Sequence, residues 1–95
     1  MIKHIVFFKL KDRSEESVAA TVAVLRNMEG KIPQLLSIEV GADIIHSDRS
    51  FDIALVTEVA SLEDLQAYQV HPAHKEVIAH INEVKELSIA VDYVI

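Results

Sequence analysis

No cysteine occurs among the 95 residues, which excludes a disulfide framework, thiolate chemistry and a Cys-ligated metal. Tryptophan is also absent, and two tyrosines and three phenylalanines are the whole aromatic content. The hydrophobic half of the chain is therefore mostly aliphatic. Glycine and proline number two each, so the apolar residues belong to regular elements rather than to turn-rich or disordered sequence. Basic residues are scarce as well: nine Lys and Arg face fifteen Asp and Glu, a net charge of -6 that repels phosphate backbones and anionic membrane surfaces. No nucleic-acid or membrane partner is expected. No apolar run approaches membrane-spanning length, and Lys3 and Lys9 interrupt the opening stretch too early for a signal-peptide core. A soluble, cytoplasmic protein is expected, with residues 1–95 forming one domain around one core.

What is present is periodicity. Ile2, His4, Val6, Phe8 and Leu10 share one face of a strand, and Lys3, Ile5, Phe7, Lys9 and Lys11 share the other. Ser14 before Glu15 and Glu16 predicts a helix start; Val18, Val22, Leu25 and Met28 carry its apolar stripe until Gly30 stops it. Beyond the Ile32-Pro33 connector, Leu36, Ile38 and Val40 alternate up to Gly41, and Phe51, Ile53, Leu55, Thr57 and Val59 alternate again, predicting two more strands. Ser61-Leu-Glu-Asp64 reads as a capping box opening a short helix through Leu65 and Tyr68. Pro72 lacks a backbone N–H but fits the first turn of a helix, so one helix ends near Val70 and another begins at Pro72. Val77, Ile78, Ile81 and Val84 form the buried stripe of that helix, and Leu87 to Ile95 closes the chain as a fourth strand.

The order β-α-β-β-α-α-β predicts an α+β, ferredoxin-like split βαβ: a four-stranded antiparallel sheet with helices on one face. The other face carries Ile5, Phe7, Ala54, Val56 and apolar last-strand residues, a patch too apolar to stay bare. A second copy packed sheet against sheet is expected to cover it, giving a homodimer.

Chemistry concentrates in Tyr68-Gln-Val-His71-Pro-Ala-His74. His74 falls in the first turn of the helix that Pro72 opens, where unpaired N–H groups and the helix dipole disfavour imidazolium and keep the ring neutral. A neutral His74 would take a proton from a carbon beside a carbonyl while the Tyr68 hydroxyl donates to the developing enolate oxygen. The pocket for such a carbonyl ligand is expected between the helices and His4, Val6, Leu55 and Thr57 on the sheet, with His4 and His71 orienting. The competing reading is structural: Tyr68, His71 and His74 form a hydrogen-bonded helix junction in which His71 caps the Pro72 helix. His71, His74 and His4 also have spacing permissive for a metal, but no carboxylate or cysteine motif accompanies them, so neither metal nor other cofactor is expected. His46 is expected in a solvated loop and His80 at a rim or surface. Asp52 is expected to pair with Arg49 and Asp92 to mark the dimer seam. Lys3, Lys9 and Lys11 are expected to form cross-strand or cross-dimer ion pairs with Glu39 and Glu58.

The opening Ile2-Lys-His-Ile-Val-Phe-Phe-Lys-Leu-Lys11, the Glu39-Val-Gly41 turn, the Asp52-Ile-Ala-Leu-Val56 strand, Tyr68-x-x-His71-Pro-x-His74 and the closing Val91-Asp-Tyr93 together resemble the stress-responsive A/B barrel (Dabb) family over essentially the whole chain. The resemblance implies a dimeric α+β barrel. Plant members include heat-stable stress proteins and an olivetolic acid cyclase, a cofactor-free enzyme that closes a polyketide by aldol condensation. By that likeness Tyr68 and His74 take the catalytic positions and His4 a further pocket position. The alternative it leaves open is a non-enzymatic stress or assembly protein built on the same barrel.

Overall fold

Seven elements follow one another in a computed structural model that describes residues 1–95: β1 (Ile2–Leu10), α1 (Glu15–Arg26), β2 (Ser37–Ala42), β3 (Ile53–Val59), α2 (Leu62–Val70), α3 (Pro72–Val84) and β4 (Lys85–Val94). The strands form one antiparallel sheet in the order β2-β3-β1-β4. This is the ferredoxin-like arrangement that the alternation of aliphatic residues predicts. Caps set the helix starts: the Ser14 hydroxyl accepts the Ser17 N–H at 3.2 Å, and Ser61 accepts the Asp64 N–H at 3.2 Å. α1 stops at Arg26, a turn earlier than Gly30, whose φ of 79° then redirects the chain. β3 starts at Ile53 rather than Phe51, and β4 starts two residues before Leu87.

The helix-facing side of the sheet holds the core. Phe8, Leu10, Ile53, Leu55 and Val59 are buried against Val18, Val22 and Leu25 of α1, Leu65 and Tyr68 of α2, and Val77 and Ile81 of α3. Each such aliphatic side chain withdrawn from water contributes about 1.5–3 kcal/mol, so this layer stabilises the folded chain. The opposite face stays open: Phe7 is 40% exposed, Ile89 48% and Val91 61%. Register makes these residues neighbours, since Ile5 lies between Val56 and Val91, and Phe7 between Ala54 and Ile89. Lys3 stands opposite Glu58 and pairs with it at 3.6 Å, as expected of that face. No helix is long and apolar enough to cross a membrane.

Two details of packing position the site. The helices pack chiefly over β2 and β3, and on β4 Ala90, Asp92 and Val94 on the helix-facing side remain exposed. A bulge also interrupts the β1–β4 ladder between Lys9 and Leu10, so Leu10 stands opposite Lys85 while Lys9 stands opposite Leu87. At this same end of β1, Asp52 is fully buried but does not pair with Arg49. Its carboxylate accepts the Leu10 N–H and the Arg13 Nε–H, both at 2.9 Å, and Arg13 also donates to the carbonyls of Ser47 and Ser50 at 3.2 Å. The connection between β1 and α1 brings Arg13 there, a path that neighbouring positions in sequence do not reveal.

Candidate functional site

The site grows from the break between α2 and α3. Proline disfavours helical conformation in the residue before it, and His71 accordingly is extended, with φ -62° and ψ 138°. Its ring then faces the start of α3, where Nδ1 accepts the Ala73 N–H at 3.1 Å. His71 is thus a helix cap and lies outside the cavity lining described below. His74, one turn further on, lies against the end of α2, with Nδ1 at 3.0 Å from the Gln69 carbonyl. A carbonyl oxygen only accepts, so Nδ1 carries the proton and the Nε2 of the neutral ring keeps its lone pair. The junction reading is met in these two bonds, yet they leave one nitrogen of His74 free to act.

Tyr68 lies between two histidines. Its ring centroid is 4.5 Å from that of His74 and 6.1 Å from that of His4, both edge-on. The side chain is fully buried, and its hydroxyl has no hydrogen-bond partner. Burial pushes the Tyr68 pKa up to about 12, so the hydroxyl remains a proton donor across the physiological range. His74 moves the other way: burial holds its pKa below the usual imidazole value, the bond to Gln69 opposes that, and His4 adds to the lowering. Neutrality is as expected, but the first cause is desolvation rather than the helix terminus. On the far side of Tyr68, His4 Nδ1 is hydrogen-bonded to the Asp92 carboxylate, which stands opposite it across the β1–β4 ladder. Within the chain Asp92 thus orients His4.

These groups line a cavity of about 200 Å³ between the sheet and α2–α3. His4, Val6, Leu55, Tyr68 and His74 all contribute to it, as the sequence predicts. Thr57 does not; it is fully buried and its hydroxyl donates to the His4 carbonyl at 3.4 Å. Gln69 of α2 and Lys85 and Ser88 of β4 join the lining and were not anticipated; for Lys85 the reason is that nothing in the alternation of β4 announces the bulge. His4, His71 and His74 do not converge as a metal-holding group. His80 is half-buried, in keeping with a rim position, and its Nε2 has no partner. A larger open groove of about 970 Å³ runs between α1 and residues 42–46, including His46. Neither Tyr68 nor His74 lines it, so it lies apart from the acid/base groups.

Comparison with known proteins decides the lineage. The family model described as the stress responsive A/B barrel domain matches residues 2–95. The chain belongs to the Dabb family. An uncharacterised protein of Streptomyces coelicolor is 35% identical over 82 residues, covering 83% of this chain and 84% of that one. Among solved structures, a dimeric ferredoxin-like protein of unknown function from Bacteroides fragilis superposes with a TM-score of 0.84 at 31% identity, over 99% of this chain and 95% of that one. The hydroxynitrile lyase of Passiflora edulis shares the fold with a TM-score of 0.83 at 22% identity, over 99% of this Dabb chain and 92% of the lyase.

Proposed function

We propose that this Dabb protein binds a small carbonyl compound beneath α3 and performs cofactor-free acid/base chemistry on it, of the kind that opens an aldol or cyclisation step. The observation that carries this reading is the Tyr68 hydroxyl, buried beside His74 in a cavity and without a hydrogen-bond partner. A buried hydroxyl left unsatisfied costs about 1–3 kcal/mol, and a ligand carbonyl would remove that cost. With the carbonyl oxygen on Tyr68 O–H, His74 Nε2 takes a proton from the adjacent carbon. The C–H electron pair moves into the carbonyl, and the enolate oxygen accepts a hydrogen bond from Tyr68. His4, oriented by Asp92, is a positioning residue beside Tyr68. The hydroxynitrile lyase of the same fold shows that this scaffold can carry an enzyme, although a shared fold does not carry a shared reaction.

The test is deuterium uptake at the carbon next to the carbonyl of small ketones and oxo acids, followed by NMR in deuterium oxide. The expected result is accelerated exchange that His74→Gln and Tyr68→Phe abolish. Exchange at the buffer rate for every compound would sink the reading. A non-enzymatic stability or assembly role is the second reading, favoured by the His71 cap and the His74–Gln69 bond that tie α2 to α3. In that case His74→Gln lowers the melting temperature markedly and no compound raises it. A homodimer is part of either reading: the open face of Ile5, Phe7, Ile89 and Val91 fits a second copy of itself, as the dimeric relative supports. Phe7→Asp should then yield monomers in sedimentation, and an unchanged mass in wild type and variant would count against the sheet face as the interface.

A further inference from the structure

We propose that the ligand of this cavity is an anion, a small oxo acid whose carboxylate is held by Lys85 and Ser88 while its carbonyl reaches Tyr68. This anion site rests on the acid/base cavity proposed above and adds the charge of its occupant. Strand alternation alone would turn Lys85 away from Ser88, since the two are an odd number of residues apart. The bulge in the ladder reverses this: Ser88 stands opposite Phe8, Lys85 stands opposite Leu10, and both partners face the helices. Bulges that re-aim one side chain are concentrated beside functional sites. Here the effect is to bring Lys85 into the wall of the cavity that holds Tyr68 and His74.

The Lys85 ammonium is not used elsewhere. The ion pairs of the chain are Lys3–Glu58, His4–Asp92 and Arg13–Asp52, and Lys85 belongs to none of them. No side-chain hydrogen bond engages it or the Ser88 hydroxyl either. The lining as a whole contains no Asp or Glu, although the chain carries fifteen acids against nine bases. The Asp92 carboxylate is engaged by His4, so Lys85, the one Lys or Arg of the lining, is left without a paired acid and favours an anionic ligand. Size narrows the class further. A volume of about 200 Å³ is a little more than the ~150 Å³ that admits benzene, so a short-chain acid fits and a long acyl chain does not. Val6, Leu55 and Ile78 supply the apolar wall for its carbon skeleton.

Acetoacetate and acetoacetamide, matched in size and differing in charge, test the proposal by calorimetric titration of the wild-type protein and of the Lys85→Met and Lys85→Arg variants. Acetoacetate is expected to bind wild type at least ten-fold tighter than the amide. Lys85→Met should erase that preference and Lys85→Arg should keep it. Raising the salt concentration should weaken acetoacetate binding and leave the amide unchanged, a result that does not depend on either variant folding. Equal affinity for the two compounds, or a preference that survives Lys85→Met, would overturn the proposal. Deuterium exchange separates the anion site from the acid/base chemistry. If the amide binds and exchanges through His74 with no preference for charge, the anion site fails and the acid/base reading stands. If acetoacetate binds through Lys85 without any His74-dependent exchange, the anion site stands and the chemistry fails. If neither compound binds nor exchanges, both fail.

Discussion

Asp52 and Tyr68 are both fully buried polar side chains, yet their surroundings are opposite. Asp52 accepts from the Leu10 N–H and from Arg13, whose guanidinium in turn holds the loop carbonyls of Ser47 and Ser50. Tyr68 has no partner for its hydroxyl and stands in the wall of a cavity. A buried group that satisfies its hydrogen bonds inside the chain is occupied by the fold. One left unsatisfied at a cavity wall is available to a ligand. The first arrangement closes the β1–α1 corner, and the second is where chemistry belongs.

The sharpest way to break the comparison is His74→Gln, which removes the base beside Tyr68 and should lower exchange roughly 10²–10⁴-fold with a small change in melting temperature. A rate loss matched by unfolding in thermal melts would move His74 to the structural side. Tyr68→Phe comes next, with an expected rate loss of about 10²–10³-fold. Because the lost hydroxyl was unsatisfied, stability should hold or rise by about 1 kcal/mol; a clear loss in denaturant titrations would mean that the hydroxyl already has a partner. Asp52→Ala should do the reverse, costing about 3 kcal/mol of stability by stranding Arg13 and the Leu10 N–H while exchange per folded molecule stays unchanged. His71→Ala removes a helix cap and should cost about 1 kcal/mol, again without affecting exchange once the protein is folded.

The smallest effect is that of pH. The folded pKa of His74 lies below the 6.5 of a free imidazole, so below pH 6.5 the unfolded chain binds the proton more readily than the folded one. Stability is therefore complete above pH 6.5 and declines as pH falls below it, a slope that His74→Gln should flatten in urea titrations. Exchange catalysed by the neutral ring should persist below pH 6.5 and fall only when His74 itself titrates.

Much of this was legible in the chain. Val6, Leu55 and the other aliphatics keep a two-residue period, Val77 and Ile81 keep a helical one, and Pro72 marks the break that places Tyr68 and His74 on either side of it. Those are local signals, and the cluster they build was read in its place. Pairing was not legible. Asp92 meets His4 only because β4 takes one register against β1, and Arg13 rather than Arg49 reaches Asp52 because the chain turns back after Leu10. The pKa of His74 was anticipated in direction, but its cause was not, since desolvation depends on what packs around the ring.

The sequence by itself determined the elements, their order and the apolar character of both sheet faces, because side-chain periodicity and proline sterics act within a few residues. The tertiary structure decided what each polar side chain faces. It left Tyr68 without a partner, gave Asp52 two, and through one extra residue in a ladder turned Lys85 toward the cavity. Such outcomes depend on strand register and on where the helical layer ends, and both are settled by contacts between residues far apart in the chain.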